Sequence, residues 1–349
     1  MINKINLLDL DKQQMYRFFL SIGEKQFRVN QIMNWIYKYY CNDFNKMTNL
    51  NLSLKKKLND IACIYSPKFL KEQISLDGTI KWSVEIGNKL IETIYIPEKK
   101  RSTICVSSQI GCVLKCKFCS TGYQGFNGNL SISEIIGQIW NASRIIKNKS
   151  SKKNTSITNI VFMGMGEPLL NIKNLIPALK IITDSSCFNI SKRRVTVSTS
   201  GIVSGLKILR NTIDVNLAIS LHASNDKIRN LIMPINKKYS IESILSEVRK
   251  YLKTSKANHG GVTIEYVMLK NINDSLNNAK ELAVLLKNIP SKINLIPWNH
   301  FIGTNYKSSS YNTIINFSKI LKKQGFITTI RKNRGEDIKA ACGQLVGKM

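Results

Sequence analysis

The spacing of apolar residues changes along the chain and separates three stretches. Up to about residue 65, apolar residues recur every three or four positions, which is typical of one buried face of an α-helix. This spacing predicts helices over 11–20, 28–40 and 50–64. Between 68 and 97 the period shortens to that of β-strands, and Asp77–Gly78 is a hairpin turn signal between the first two strands. A small helical domain with a β-hairpin extension is therefore expected before residue 98.

From residue 102 onward, short apolar or β-branched strands alternate with amphipathic helices. Strands are predicted at 103–108, 157–163, 194–199, 214–221, 262–268, 292–297 and 326–331. Helices are predicted at 131–147, 171–184, 201–211, 240–255, 274–288 and 310–324. The first of these helices begins with the capping box Ser131–Glu134. Strands that are apolar on both faces are typical of a parallel sheet covered by helices. The repeated units therefore predict an α/β fold, a full or partial β/α barrel with its chemistry at the carboxyl ends of the strands.

Composition and charge narrow the classes of partner. The 349 residues are 43% hydrophobic and 21% charged, which is ordinary for a globular protein with a sizeable core. Lys and Arg total 52 against 22 Asp and Glu, and a net charge of +30 indicates a polyanionic partner, most simply nucleic acid. Genomic drift toward A and T, which enriches Lys, Ile and Asn, is the competing explanation. Segments Ser191–Arg194 and Leu54–Leu58 would hold phosphate, with a solvated lysine face as the alternative.

The sequence contains no recognisable targeting or membrane-spanning segment. The first ten residues lack the unbroken apolar core of a signal peptide, and no apolar run approaches the roughly 18 residues of a membrane span. We therefore expect a cytosolic protein, in which thiols stay reduced. Its eight cysteines are then ligands, reactants or core residues rather than a disulfide framework.

Three cysteines form one tight loop after the first barrel strand. Cys112, Cys116 and Cys119 have the spacing C-x3-C-x2-C, and a [4Fe–4S] cluster held by three thiolates keeps one iron without a protein ligand. An open metal position is where chemistry can occur. A structural zinc site is the alternative, but zinc needs a fourth ligand, and the three histidines of the chain are not paired at ligand spacing.

Short polar or glycine-rich segments follow the other barrel strands. The candidate ligand-binding residues in them are Gly164, Gly166, Glu167, Ser198, Ser220, Leu221, His222 and Asn299. Each alone is more often an ordinary loop residue. Glycines let the backbone approach a ligand closely, and Glu167 can pair with an ammonium group. Because all of them follow strand ends, they would form one ring at the barrel mouth, suited to a ribose, an adenine edge and a carboxylate.

Several runs of residues together carry a family resemblance. They are Cys105–Cys112, Gly164–Pro168, Ser191–Gly201, Ser220–His222 and Arg334–Cys342, in addition to the three-cysteine loop. The loop resembles that of radical S-adenosylmethionine (SAM) enzymes, and almost the whole chain resembles their bacterial dual-specificity adenine-C2 methyltransferases of ribosomal and transfer RNA. The resemblance implies a partial (β/α)6-type radical SAM barrel. It also implies three parts: 1–97, helical and RNA-binding with the β-hairpin extension; 98–331, the core barrel; and 332–349, which carries a methyl-accepting cysteine.

The resemblance further implies roles for individual residues. Cys112, Cys116 and Cys119 would bind the [4Fe–4S] cluster, and Gly166, Glu167, Ser198, Ser220, Leu221, His222 and Asn299 would bind SAM, two molecules of which are used per turnover. Cys342 would carry the methyl group as S-methylcysteine. Glu92 would accept the C2 proton, and Cys105 would free the product through a transient disulfide with Cys342. Without the resemblance, Glu92 is more simply a solvent-facing strand carboxylate.

The implied partners are 23S ribosomal RNA, transfer RNA and an electron donor of flavodoxin type, with no membrane. A cytoplasmic monomer is expected. Two alternatives stay open on the sequence. One is a methyltransferase of the same family that acts on C8 of adenine, and the other is a non-catalytic iron–sulfur protein that binds RNA.

Overall fold

The computed structural model describes residues 4–149 and 156–347 of the chain, which form fourteen strands and eleven α-helices. The strands are β1 (Ile5–Asn6), β2 (Ala62–Cys63), β3 (Phe69–Ile74), β4 (Ile80–Ile86), β5 (Lys89–Pro97), β6 (Ser102–Cys105), β7 (Gln109–Gly111), β8 (Phe126–Asn129), β9 (Asn159–Phe162), β10 (Val195–Thr199), β11 (Asn216–Ser220), β12 (Val262–Met268), β13 (Ser291–Pro297) and β14 (Ile327–Ile330). The helices are α1 (Lys12–Ser21), α2 (Phe27–Tyr37), α3 (Leu52–Ile61), α4 (Ser120–Tyr123), α5 (Ile132–Lys149), α6 (Ile172–Thr183), α7 (Val203–Thr212), α8 (Asp226–Ile232), α9 (Ile241–Thr254), α10 (Leu276–Leu286) and α11 (Tyr311–Lys323).

One ten-stranded sheet organises the fold, in the order β14-β13-β12-β11-β10-β9-β6-β5-β4-β3. The seven strands from β14 to β6 are parallel, and β5, β4 and β3 continue the sheet antiparallel. This confirms the α/β expectation, with six β/α units and a seventh parallel strand. Because β5 pairs with β6, the predicted boundary at residue 97 falls between two neighbouring strands of this sheet. The three domain limits stay a prediction.

The N-terminal helices form a compact group that packs on α5. Helix α1 begins at an Asp11 capping box, in which the side chains of Asp11 and Gln14 bond each other's backbone N–H groups. The indole N–H of Trp140 on α5 donates to the carbonyl of Ile36 at 2.7 Å. The backbone N–H of Ser133 donates to Asp9 at 2.6 Å. Buried hydrogen bonds of this kind fix the helical group against the barrel.

Strong local sequence signals predicted a helix start and a turn correctly, whereas several short elements were not predicted. The Ser131–Glu134 capping box is present, with hydrogen bonds in both directions between the two residues. The Asp77–Gly78 turn is also present, and Gly78 has a φ of +81°. The sequence did not predict the small β7–β8 hairpin or α8. These elements have three, four and seven residues, which is too short for a hydrophobic period to be recognisable.

The carboxyl ends of the parallel strands meet at one edge of the sheet. After β14 the chain returns across this edge as residues 332–347, which we call the strap. The strap is held near the β3–β4 turn, where Asp337 accepts a hydrogen bond from the Ser75 hydroxyl at 2.5 Å. It is held at the three-cysteine loop as well, because the backbone N–H of Ser120 donates to the carbonyl of Gly343 at 2.7 Å. None of the helices described here is both long enough and apolar enough to cross a lipid bilayer.

Candidate active site

A cavity of about 1000 Å³ lies at the carboxyl edge of the sheet, beneath the strap. Its lining includes eleven of the residues singled out from the sequence: Cys112, Cys116, Cys119, Gly164, Gly166, Glu167, Ser198, Ser220, His222, Asn299 and Cys342. Part of this volume is open to solvent, so a ligand can enter from the surface. Three other candidates, Leu221, Cys105 and Glu92, lie behind the lining and do not form part of it. The fold therefore brings most of the predicted site together.

The three-cysteine loop folds tightly around its own backbone. The N–H of Cys119 donates to the carbonyl of Cys116 at 3.1 Å, and Lys115 adopts a φ of +51° between the first two cysteines. Burial raises the pKa of the Cys112 thiol to about 12, and the pKa values of Cys116 and Cys119 are raised for the same first reason. Thiols that bind iron lose their protons on binding, so these groups would be ionised only with a metal present.

The donor set fits a cluster better than a single ion. Among the described residues, no three His, Cys, Asp or Glu side chains come together closely enough to hold one metal ion. An iron–sulfur cube places each cysteine sulfur on a different iron, so its thiols stand further apart than the ligands of zinc. The three thiols line one cavity on one loop and no histidine completes a tetrahedral set. The residues fit a [4Fe–4S] cluster, for which these three cysteines would supply three of the four iron ligands.

Three hydrogen bonds hold the carboxylate of Glu167 in place. Its carboxylate accepts from the N–H of Ser200 at 2.8 Å, from the Ser200 hydroxyl at 2.6 Å and from the N–H of Leu169 at 3.1 Å. A carboxylate has about four lone-pair sites, so one is free to accept from an ammonium group. Burial raises the pKa of Glu167, and the bonds from Ser200 oppose that rise. Ser200 is a site residue that the sequence did not indicate.

Neighbouring protein requires the two glycines before Glu167, and since both also line the cavity, their approach to a ligand stays a prediction. A Cβ on Gly164 would lie 2.7 Å from the carbonyl of Val106, and one on Gly166 would lie 2.4 Å from the Cβ of Gln109. Gly166 also has a φ of +96°. The close approach is therefore to the loop after β6. The amide oxygen of Gln109 in turn accepts from the N–H of Glu167 at 2.8 Å, so this packing sets the position of Glu167.

Replacing Gly166 by alanine is expected to weaken SAM binding by roughly 5- to 150-fold, from the ~1–3 kcal/mol of backbone strain that displaces Glu167. Equilibrium dialysis with the reconstituted protein under anaerobic conditions measures this. Gly23→Ala is the matched control, because Gly23 has a φ of +78° but nothing within 4 Å of the added methyl group. Equal SAM affinity in the Gly166 and Gly23 variants would contradict the expectation.

The ends of β10, β11 and β13 supply polar atoms that face the cavity. The hydroxyls of Ser198 and Ser220 lie 3.4 Å apart on neighbouring strands. The side-chain N–H of Asn299 donates to the carbonyl of Cys342 at 3.3 Å, while its side-chain oxygen is buried without a hydrogen-bond partner. A buried acceptor without a partner costs roughly 1–3 kcal/mol, which a donor on a bound molecule would offset. This orphaned oxygen and the two hydroxyls fit the ribose and amino groups of SAM.

His222 lines the cavity with a ring held by a backbone hydrogen bond. Its Nδ1 accepts from the N–H of Val267 at 3.0 Å, which places the ring proton on Nε2. Burial, assisted by the Arg229 guanidinium, lowers the pKa of His222 to about 3. Its ring packs edge-on against Phe118 with centroids 4.6 Å apart. Leu221 is fully buried, and its N–H donates to the carbonyl of Glu265, so it contributes through backbone position.

Arg229 on α8 is a site residue that the sequence gave no reason to select. It is fully buried and donates to the carbonyls of Ser200 and Ser220 at 2.6 and 3.1 Å, and to that of Leu221 at 3.0 Å. One guanidinium therefore joins the ends of β10 and β11. Burial lowers the pKa of Arg229 to about 10, and it stays charged at neutral pH.

Cys342 and Cys105 are neighbours at one end of the cavity. Cys342 is exposed and lines the cavity. Desolvation by the surrounding protein raises the pKa of its thiol, while the Arg331 guanidinium opposes the rise. Burial, followed by the proximity of Cys342, raises the pKa of Cys105 to about 12. All eight cysteines lie in the described part of the chain, and each is a free thiol. The disulfide named from the resemblance is therefore not formed here.

Glu92 is buried, and this contradicts the solvent-facing alternative. The side chain is 3% exposed and forms an ion pair with Lys81, with Nζ and Oε1 3.1 Å apart. Its other oxygen accepts from the N–H of Val346 on the strap at 2.8 Å. The alternation along β5 would have placed Glu92 in water only if one face of the sheet were bare. The strap covers that face.

One of the two basic segments lies away from the cavity. Lys192–Arg194 directly precedes β10, at the amino edge of the sheet, whereas Ser198 and the cavity lie at the carboxyl edge. Contact of this segment with RNA phosphate stays a prediction, with a solvated basic face as the alternative. Residues Lys55–Lys57 lie on α3, in the N-terminal helical group.

The N-terminal helices and the barrel each match a known protein family. Residues 5–64 match the family model of the ribosomal RNA large subunit methyltransferase N-terminal domain, and residues 106–283 match that of the radical SAM superfamily. The chain is 62% identical over 346 residues to the dual-specificity RNA methyltransferase RlmN of Buchnera aphidicola subsp. Acyrthosiphon pisum (strain APS), covering 99% of this chain and 95% of the relative. It is 59% identical over 344 residues to the same enzyme of subsp. Baizongia pistaciae (strain Bp), covering 99% and 92%.

A solved structure is similar over the same length. The crystal structure of a radical SAM methyltransferase from Sphaerobacter thermophilus superposes with a TM-score of 0.91 at 35% sequence identity. The similarity covers 99% of this chain and 100% of that one, so it includes the N-terminal helices and the strap together with the barrel.

Proposed function

Because this chain belongs to the dual-specificity RNA methyltransferases RlmN of the radical SAM superfamily, we propose that it methylates C2 of an adenosine in 23S ribosomal RNA and in the anticodon loop of certain transfer RNAs. It is an enzyme that uses a [4Fe–4S] cluster and SAM. This confirms the resemblance seen in the sequence and excludes the non-catalytic alternative. One observation carries the assignment at residue level: Cys342 faces the same cavity as the three cluster cysteines.

Holding the cofactors is the first task of the cavity residues. Cys112, Cys116 and Cys119 would ligate the cluster, and the free lone pair of Glu167 would accept from the ammonium group of SAM. Gly166, Ser198, Ser220, Leu221, His222 and Asn299 would complete the SAM site. When bound, the cluster and SAM supply the one-electron chemistry needed at adenine C2, which is too electron-poor to attack a methyl donor as a nucleophile.

Cys342 is the residue that we assign as the methyl carrier. Its sulfur would accept the methyl group and present it to the target base as S-methylcysteine. The Arg331 guanidinium favours the thiolate form, in which cysteine is a nucleophile. The target adenosine must leave its stack to enter the cavity that Cys342 lines, as in other base-modifying enzymes.

Glu92 and Cys105 would complete the reaction. Glu92 is assigned as the acceptor of the C2 proton, and the ion pair with Lys81 fixes the position of its carboxylate. Cys105 is assigned as the thiol that attacks the sulfur of Cys342. A sulfur–sulfur bond then forms, the sulfur–carbon bond to the adduct breaks, and the methylated RNA leaves. An external thiol must reduce the disulfide before the next turnover.

The proposed reaction also needs a reductant and an RNA substrate. An electron donor of flavodoxin type would reduce the cluster, since the superfamily requires a reductant. The net charge of +30 suits an RNA substrate. We propose a monomer that acts in the cytoplasm.

The position of the new methyl group tests the proposal directly. Ribosomal RNA fragments or tRNA would be incubated with reconstituted enzyme, SAM and reductant, then digested to nucleosides and compared by mass spectrometry with synthetic 2-methyladenosine and 8-methyladenosine. We expect only the C2 product, accompanied by loss of deuterium from RNA labelled at C2. Methylation at C8 would replace this function by that of the related C8 enzymes, and unmodified RNA would refute both.

A further inference from the structure

The strap carries Cys342 and is attached to the sheet on both sides of it by one buried ion pair. On the amino side, the ammonium group of Lys81 donates to the carbonyl of Lys339 at 3.3 Å. On the carboxyl side, Glu92 accepts from the N–H of Val346 at 2.8 Å. Lys81 and Glu92 contact each other at 3.1 Å. The same two side chains therefore hold both ends of the segment that contains the methyl-accepting thiol.

Sheet register explains why these groups meet. In the β4–β5 pair, Lys81 lies opposite Ile94 and Ser83 lies opposite Glu92, so Lys81 and Glu92 are diagonal neighbours on one face. Ile94 lies opposite Cys105 in the next pair, which places Cys105 on this face too. The other face is covered by α5, where Thr93 donates to Gln138 at 2.8 Å. The strap covers the face that carries Lys81 and Glu92.

Burial strengthens the attraction between Lys81 and Glu92. The side chains of Lys81 and Glu92 are 7% and 3% exposed, so water screens their attraction little. A buried carboxylate without its cation is strongly disfavoured, and a buried ammonium group needs several acceptors. The carbonyl of Lys339 supplies one of those acceptors. The Lys81 ammonium group therefore has this second acceptor only when the strap is in place.

We propose that Lys81 is a positioning residue of the methyl-transfer reaction, which fixes the Glu92 carboxylate and the Cys342 segment relative to each other. This rests on the proposed function for its role in catalysis, but the attachment itself does not. Lys81 does not touch the cavity and acts through two groups that it orders. Losing it would allow Cys342 to leave its place over the cavity and the Glu92 carboxylate to turn away from the target base.

Hydrogen exchange of the strap in the resting holoenzyme tests the attachment. In Lys81→Met, we expect the peptide spanning residues 339–347 to take up deuterium at least about tenfold faster than in the wild type, because Val346 N–H loses its fixed acceptor. In Lys81→Arg, which keeps the charge and donors, uptake should return close to that of the wild type. Lys89→Met changes an exposed lysine of the same strand pair and should leave uptake unchanged.

Turnover supplies a second readout that loss of stability alone would not move. We expect the ratio of 5′-deoxyadenosine released to RNA methylated to rise about tenfold in Lys81→Met, since cofactor cleavage would continue while the methyl group is misplaced. A structural role would lower both products together. If Lys81→Met does not fold, Lys81→Gln carries the same measurements, because its amide keeps the buried carboxylate hydrogen-bonded.

The outcomes separate this inference from the proposed function. Wild-type exchange and a wild-type product ratio in the Lys81 variants would overturn it, as would faster exchange spread evenly over the barrel. If the wild type methylates no RNA, the proposed function fails, and the exchange experiment still decides on the attachment because it needs no turnover.

Discussion

Replacing Cys342 by alanine is expected to abolish methyl transfer to RNA, by more than about 10³-fold, while leaving iron and SAM binding intact. No other thiol combines access to the cavity with freedom from the proposed cluster. The strap should keep its place in the variant, because Asn299, Ser120 and Lys81 hold it through backbone carbonyls of Cys342, Gly343 and Lys339. The loss would therefore report on the sulfur atom itself.

Three measurements on one preparation check this result. Iron should be about four per chain, SAM binding should match the wild type, and no labelled methyl group should reach RNA or protein. Cys187→Ala is the matched control, since it removes a buried thiol outside the cavity and should methylate RNA normally. Methylation above about a tenth of the wild-type rate in the Cys342 variant would remove Cys342 from the mechanism.

The sequence predicted the barrel and most of its mouth because the decisive signals there are local. Each parallel strand is a short β-branched run, and each is followed by a polar or glycine-rich segment. Ser198, Ser220 and Asn299 meet because parallel strands place all their carboxyl ends at one edge. Residues that follow the strand ends in the sequence are therefore neighbours in the structure.

Buried charged residues could not be predicted in the same way. Lys81 contacts Lys339 across 258 positions of sequence, and no local pattern distinguishes it from the exposed lysines of the chain. Arg229 lies on a seven-residue helix and acts by joining the ends of β10 and β11. These residues gain their role from long-range packing. Glu92 illustrates the same limit, since strand alternation alone suggested water on the face that the strap covers.

The glycines of the segment before Glu167 show a different kind of limit. The sequence indicated that they matter and suggested approach to a ligand as the reason. The structure adds a second reason, which is their approach to Val106 and Gln109. A glycine indicates that something comes close, and only the fold tells whether it is a ligand or the protein itself.

Replacing Cys105 by alanine is expected to stop the enzyme after a single turnover, with RNA linked covalently to Cys342. Cys105 lies beside Cys342 under the strap, so its loss leaves no free thiol there to attack the sulfur–carbon bond. The earlier steps use groups that the change does not touch. Burial raises the pKa of Cys105 to about 12, so at neutral pH it is a thiol and contributes no charge to those steps.

A denaturing gel with labelled RNA displays the adduct as a band that carries both protein and RNA. We expect it to approach one RNA per chain in Cys105→Ala, to be absent in Cys342→Ala, and to be absent in the double variant. The wild type should show little adduct, because attack by Cys105 resolves it. Multiple turnovers by Cys105→Ala without any adduct would mean that the methylated base leaves by a route that needs no second thiol, and the assignment of Cys105 would fail.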